Sequence, residues 1–125
     1  HAPKARILGY ASAALDADRF GIAPTLAMPL ALEMAKMTIN DMDLIEINEA
    51  FAAQIIACHR VMPLDMQKLN IHGGAIALGH PIGASGARIL TTLLYALKNT
   101  DKEFGIASAC IGGGQAAAIV VQRLN

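Results

Sequence analysis

The chain has 125 residues, of which 54% are hydrophobic, 16% charged and only 4% aromatic, with ten basic and ten acidic side chains. That length suits one domain with a single core, and the apolar content excludes a disordered chain. The balanced charge and the lack of a clustered Lys/Arg face argue against a nucleic-acid or anionic-membrane partner. No apolar run reaches the ~20 residues needed to span a bilayer.

Two cysteines make no disulfide framework, so a reducing compartment is expected: the cytoplasm, or a mitochondrion or peroxisome in a eukaryote. No basic n-region with an apolar stretch opens the chain, and any targeting segment would lie upstream of His1.

In chain order, Ala5–Leu15 reads as a strand, and Asp16–Gly21 as a loop. Pro24 suits the first turn of a helix to about Met37, with Leu26, Leu30, Met34 and Met37 at helical spacing and Pro29 as an interior irregularity. Thr38–Asp41 has the pattern of a capped single turn. Leu44–Ile47 is a short strand, followed by a helix from Glu49 to about Met62. That helix is apolar nearly all round and is expected to be buried on most sides.

Asn70–Leu78 reads as a short extended segment broken by Gly73-Gly74. A helix from about Gly83 to Lys98 carries Ala87, Leu90, Leu94 and Leu97 on one stripe. Glu103–Ala109 and Gln115–Gln122 are strands joined by a glycine turn, most simply an antiparallel hairpin. The order β-α-β-α-β-α-β-β predicts an α/β fold with a mainly parallel sheet, one antiparallel edge strand and flanking helices.

Cys110 lies between a strand and Gly112-Gly113-Gly114, where a thiol can meet free backbone N–H groups. A free thiol has a pKa of ~8.5, so Cys110 can serve as acid/base or nucleophile as well as a small core residue. His80 follows Gly79 and precedes Pro81 at a helix start. The positive end of that helix favours the neutral ring, which can accept a proton. The loop Gly83-Ala84-Ser85-Gly86 lacks a following Lys and fits neither nucleotide-binding glycine pattern.

Asn48, at the switch from strand to helix, is either a cap or a side-chain donor to a carbonyl oxygen or a water. Glu49 is a second cap or a partner of a site residue. His72, His80 and Cys110 have spacings that match no compact zinc motif, so no metal is expected. Cys58 reads as core, and His59 and Arg60 as solvent-facing.

Asn48-Glu49-Ala50-Phe51, the run Gly73–Gly86 containing Gly79-His80-Pro81, and Cys110–Gly114 occur in this order in thiolases. The chain resembles the C-terminal half of a thiolase over essentially its whole length. The resemblance implies a thiolase-like C-terminal fold, a mixed five-stranded sheet flanked by helices. It implies cleavage of 3-oxoacyl-CoA with CoA, or the reverse condensation of two acetyl-CoA, with CoA thioesters as substrates and no cofactor.

By the same resemblance Cys110 is the acid/base. His80 activates a nucleophilic cysteine and binds the thioester oxygen, Asn48 holds a water in that oxyanion hole, and the Gly112 N–H serves a second one. The nucleophile belongs to the N-terminal half, a required partner, and the full-length family is oligomeric. His72 and Ala116 depart from residues common at those places, and the connection Pro63–Leu69 is short.

Two other readings stand beside this one. The chain could be a catalytically silent domain that serves as a folding or assembly unit. It could also be a self-contained Cys–His hydrolase with Cys110 as nucleophile.

Overall fold

A computed structural model describes residues 1–124. Its regular elements are β1 (Ala5–Ala14), α1 (Pro24–Ala35), β2 (Leu44–Ile47), α2 (Ala52–Val61), α3 (Ala75–Leu78), α4 (Ser85–Asn99), β3 (Phe104–Gly112) and β4 (Gln115–Arg123). Short 3-10 turns lie at Ala17–Ile22 and Ile39–Asp41. In the second, Thr38 and Asp41 form the reciprocal capping box expected of the sequence.

The strands form one sheet in the order β1-β4-β3-β2. Its parallel content corrects the expectation. Only β2 and β3 run parallel, whereas β1 pairs antiparallel with β4 and β4 with β3. The alternation of strands and helices suggested otherwise, because it cannot reveal that the first strand pairs with the last.

The strand count among the described residues is also lower, four rather than five. The outer edge of β2 carries a single parallel bridge, Ile45 to Leu69, where a fifth strand would lie. Ile45 N–H donates to the Lys68 carbonyl and Asn70 N–H to the Ile45 carbonyl. Asn70 then turns into the left-handed region at φ 47° and ends the pairing.

The hairpin β3–β4 is as expected. Gly113 and Gly114, with φ of 59° and 81°, form its two-residue turn, a conformation that glycine adopts without penalty. The Gly114 carbonyl also accepts from Leu15 N–H at 3.0 Å, tying the hairpin tip to the end of β1.

α1 packs against one face of the sheet, through small residues. Ala23, Ala27, Met28, Ala31 and Leu32 are buried with Ile106, Ala116, Ala118 and Val120 of the central strands. A Cβ on Gly9 of β1 would collide with the Ala31 carbonyl, so the helix sits close to the strand. Leu26, Leu30 and Met34, spaced as a core stripe, instead point outward and are exposed. Pro29 is accommodated within α1, on its exposed side.

α4 covers part of the other face. Its buried stripe is Ile89, Leu93, Ala96 and Leu97, packed on Leu44, Ala107 and Val121. Leu97 was in the expected stripe; Leu90 and Leu94 are only half-buried and Ala87 is exposed. α2 departs further. Only Gln54, Ile55 and Cys58 are buried, and Phe51, Ile56 and Val61 are exposed, so apolar composition misstated its burial. The segment before His80 is helical at Ala75–Leu78 rather than extended. Among the described residues no helix is long and apolar enough to cross a membrane.

Candidate active site

β2 ends at Ile47, and Asn48 extends its ladder by donating its N–H to the Ser108 carbonyl at 2.9 Å. Glu46 and Asn48 alternate with Ile45 and Ile47 and so share the face toward α4. The Asn48 side chain is fully buried, and its Nδ2 lies 3.3 Å from His80 Nε2. Its Oδ1 has no hydrogen-bond partner among the described residues.

His80 follows Gly79, whose φ of 95° ends α3 and turns the chain toward α4. His80 Nδ1 is 2.6 Å from Ser85 Oγ, the first residue of α4. The Ser85 hydroxyl donates to the Pro81 carbonyl at 3.0 Å. A hydroxyl has one proton, so Ser85 Oγ accepts from His80 Nδ1–H. The ring is then the Nδ1–H tautomer, with a lone pair on Nε2 facing the Asn48 amide.

β3 delivers the other side of the site. The register shifts between Cys110 and Gly112, and the extra residue, Ile111, is exposed. This bulge re-aims the chain end. Gly112 has φ of 108° with open space where a Cβ would stand, so its backbone is accessible. Cys110 is half-buried, and burial pushes its thiol above the ordinary range.

His80, Cys110 and Gly112 line one cleft of about 360 Å³ with Phe20, Ala50 and Ile82. Three of the four residues singled out by sequence therefore meet in one space. Asn48 does not line it; it lies behind His80 and reaches the cleft through the ring. No hydrogen bond joins Cys110 to His80 among the described residues, and His80 Nε2 is aimed at Asn48 instead. A nucleophile–base pair, which the hydrolase reading needs, is not formed.

Other residues shape the site, and of these the sequence offers only Glu49, as a cap or a partner of a site residue. Ser85 fixes the His80 tautomer. Glu49 does not cap α2: its Oε1 accepts from Asn70 Nδ2 at 3.2 Å and its Oε2 from Ile76 N–H at 3.1 Å. Phe20 packs edge-to-face on Phe51 with ring centroids 6.3 Å apart.

Cys58 is buried, and its thiol donates to the Gly21 carbonyl at 3.2 Å, anchoring the turn that carries Phe20. Burial raises that thiol to about 11. His59, expected in solvent, is half-buried and its Nδ1 accepts from Leu64 N–H.

Beneath the site, between β2 and α4, the interior is polar. Glu46 is buried, and among the described residues its Oε2 and the three buried guanidinium nitrogens of Arg88 have no hydrogen-bond partner. Burial raises the Glu46 carboxyl to about 7, with Arg88 opposing and Glu49 adding to the rise. Among the described residues no three His, Cys, Asp or Glu side chains converge as metal ligands would.

Known proteins carry the same domain. The family described as thiolase, C-terminal domain, matches residues 1–123. The acetyl-CoA acetyltransferase of Escherichia coli (strain K12) is 54% identical over 98% of this chain and 31% of its own length. The mitochondrial 3-ketoacyl-CoA thiolase of Homo sapiens is 48% identical over 96% of this chain and 30% of its own.

The crystal structure of that human enzyme in complex with CoA superposes with a TM-score of 0.96 at 46% identity, covering 99% of this chain and 32% of that one. The Bacillus anthracis acetyl-CoA acetyltransferase superposes equally well, at 0.96 and 46%, over 98% of this chain and 31% of that one. The chain thus spans about a third of the length of the relatives it matches. It belongs to the thiolase family, as a thiolase C-terminal domain.

Proposed function

We propose that this chain is the C-terminal catalytic part of an acyltransferase that makes or cleaves 3-oxoacyl-CoA thioesters. Its substrates are acyl-CoA and CoA, with no resident cofactor. It works with a thiolase N-terminal half, within a homo-oligomeric full-length enzyme. One observation carries the reading: His80, held between Ser85 and Asn48, shares a cleft with Cys110 and the accessible Gly112 backbone.

In this reading the lone pair on His80 Nε2 takes the proton of an attacking thiol supplied by the N-terminal half. The resulting Nε2–H donates to the thioester oxygen, and Asn48 orients a water beside it. The Gly112 N–H stabilises the oxyanion of the second carbonyl. Cys110 removes the α-proton of an acetyl group or returns it. Its raised pKa suits a proton donor at neutral pH better than a nucleophile. Cys58, buried and raised to about 11, is no substitute for the missing thiolate.

A catalytically silent folding or assembly role is favoured by a different observation. A groove lined by Tyr10, Leu90, Ala109, Ala117 and Ile119 lies open beside α4. Mass spectrometry after incubation with acetyl-CoA separates the readings. The chain alone should remain unacetylated, and adding a thiolase N-terminal half should place the acetyl group on that half's cysteine. Turnover-rate acetylation of Cys110 in the chain alone would sink the assignment of roles.

A further inference from the structure

We infer that Glu49 and Asn70, neither of which lines the cleft, are positioning residues that set the spacing between Asn48 and His80. The inference rests on the functional reading above, but its physical core belongs to this chain alone. Ser85 holds one edge of the His80 ring against α4. That contact fixes the tautomer and says nothing about how far the ring stands from β2. The distance to Asn48 depends on how the segment from Asn70 to Gly79 is held.

That segment contains Gly73, Gly74 and Gly79, and Gly73 and Gly79 have positive φ, so its backbone is intrinsically adaptable. The described contacts remove that freedom at one place. Asn70 acts as a substitute strand at the edge of β2. Its Oδ1 accepts from Ile47 N–H and its Nδ2 donates to the Ile47 carbonyl, both at 3.0 Å.

The same Nδ2 donates to Glu49 Oε1, while Glu49 Oε2 takes the Ile76 N–H in the first turn of α3. A Cβ on Gly74 would collide with the Glu49 carboxylate, so α3 is seated directly on it. The result is a continuous clamp from Ile47 through Asn70 and Glu49 to α3. Its two ends carry the neighbours of Asn48 and His80.

Two single variants and their combination test this. Asn70→Asp keeps the shape and the acceptor for Ile47 N–H but loses the Nδ2 donor and sets two carboxylates together. Glu49→Gln leaves the Asn70 pairing with Ile47 in place. In the double variant a Gln donor faces an Asp acceptor, so the bond between the side chains returns with donor and acceptor exchanged.

Imidazole nitrogen NMR of this chain should show the wild-type His80 as the Nδ1–H tautomer with a hydrogen-bonded Nε2. Asn70→Asp should shift Nε2 toward its unbonded position, and Glu49→Gln combined with Asn70→Asp should restore it at least halfway. In the enzyme assembled with the N-terminal half, Asn70→Asp should lower kcat about tenfold with KM within about twofold, since misplacing a catalytic group costs rate more than binding.

If Asn70→Asp fails to fold, Glu49→Gln alone should shift Nε2 and lower kcat in the same direction. An unmoved Nε2 in the folded variants would overturn the clamp. So would a double variant no better than Asn70→Asp. A wild-type assembly without turnover, in chains whose Nε2 responds as expected, would refute the thiolase reading and support the clamp.

Discussion

The two faces of the sheet are built on different terms. Under α1 the contact is largely apolar: alanines, Met28 and Leu32 close on Ile106 and Val120, Gly9 lets helix and strand nearly touch, and the buried Thr25 and Ser108 hydroxyls each donate to a backbone carbonyl. Toward α4 the apolar cluster is smaller, and its site end holds Glu46, Asn48, Ser85 and Arg88. Beside α4 a groove over β3 and β4 stays open. Burial of apolar area stabilises without direction, whereas buried polar groups cost free energy unless paired. One face therefore supplies stability and the other tolerates a cost where the chemistry lies.

The sharpest way to break that comparison is to remove volume from each face. Met28→Ala should cost about 4 kcal/mol, because Met28 is fully buried among fixed neighbours. Leu90→Ala, half-buried at the groove, should cost about 1 kcal/mol. Urea denaturation of both variants checks the contrast, and equal losses would show that the faces contribute alike.

The next effect is electrostatic. The folded-state carboxyl of Glu46 is raised from 4.5 to about 7, so the folded chain binds the extra proton in that window. Its contribution is therefore favourable at low pH and lost as pH rises from 4.5 to about 7. Above that window the buried carboxylate costs about 3 kcal/mol, and Glu46→Gln should be more stable than wild type there by up to that amount. Thermal melts of the two proteins across pH check it; parallel curves would contradict it.

Cys110 offers a smaller, kinetic counterpart. Its pKa is raised by burial, so a step that needs its thiolate should accelerate as pH climbs past the ordinary thiol range. A pH–rate profile of the condensation direction in the assembled enzyme reports it, and Cys110→Ser should abolish that limb. The smallest expected change in stability comes from Ala117→Lys, an exposed position in the groove. It should alter folding stability by less than about 0.5 kcal/mol while suppressing self-association in sedimentation. A wild-type chain that stays monomeric at high concentration would show that the groove does not drive association.

Much of this was legible in the residues, and what was not has identifiable causes. The hairpin could be read because its turn demands positive φ at consecutive glycines, a local property. β2 and the capped turn before it are local too. The pairing of β1 with β4 is not, since it joins the two ends of the chain. Leu26, Leu30 and Met34 stand at helical spacing in α1, yet close packing on Gly9 selects its alanines for the interface and turns those three outward.

At the site, the types of Cys110, His80 and Gly112 announced chemistry. Glu49 offered only the choice between cap and site partner, and Asn70 and Ser85 announced nothing. Their roles depend on which loop meets which strand edge, and in the sequence only the Gly73-Gly74 pair hints at a tight approach.

The account's central claim is tested most directly by turnover on assembly. The chain is mixed with a thiolase N-terminal half, and thiolysis of acetoacetyl-CoA is followed for wild type and His80→Ala. The account predicts no turnover from the chain alone, measurable turnover on mixing, and a loss of roughly 100-fold or more in kcat for His80→Ala. An assembled enzyme whose kcat is indifferent to His80→Ala would contradict it.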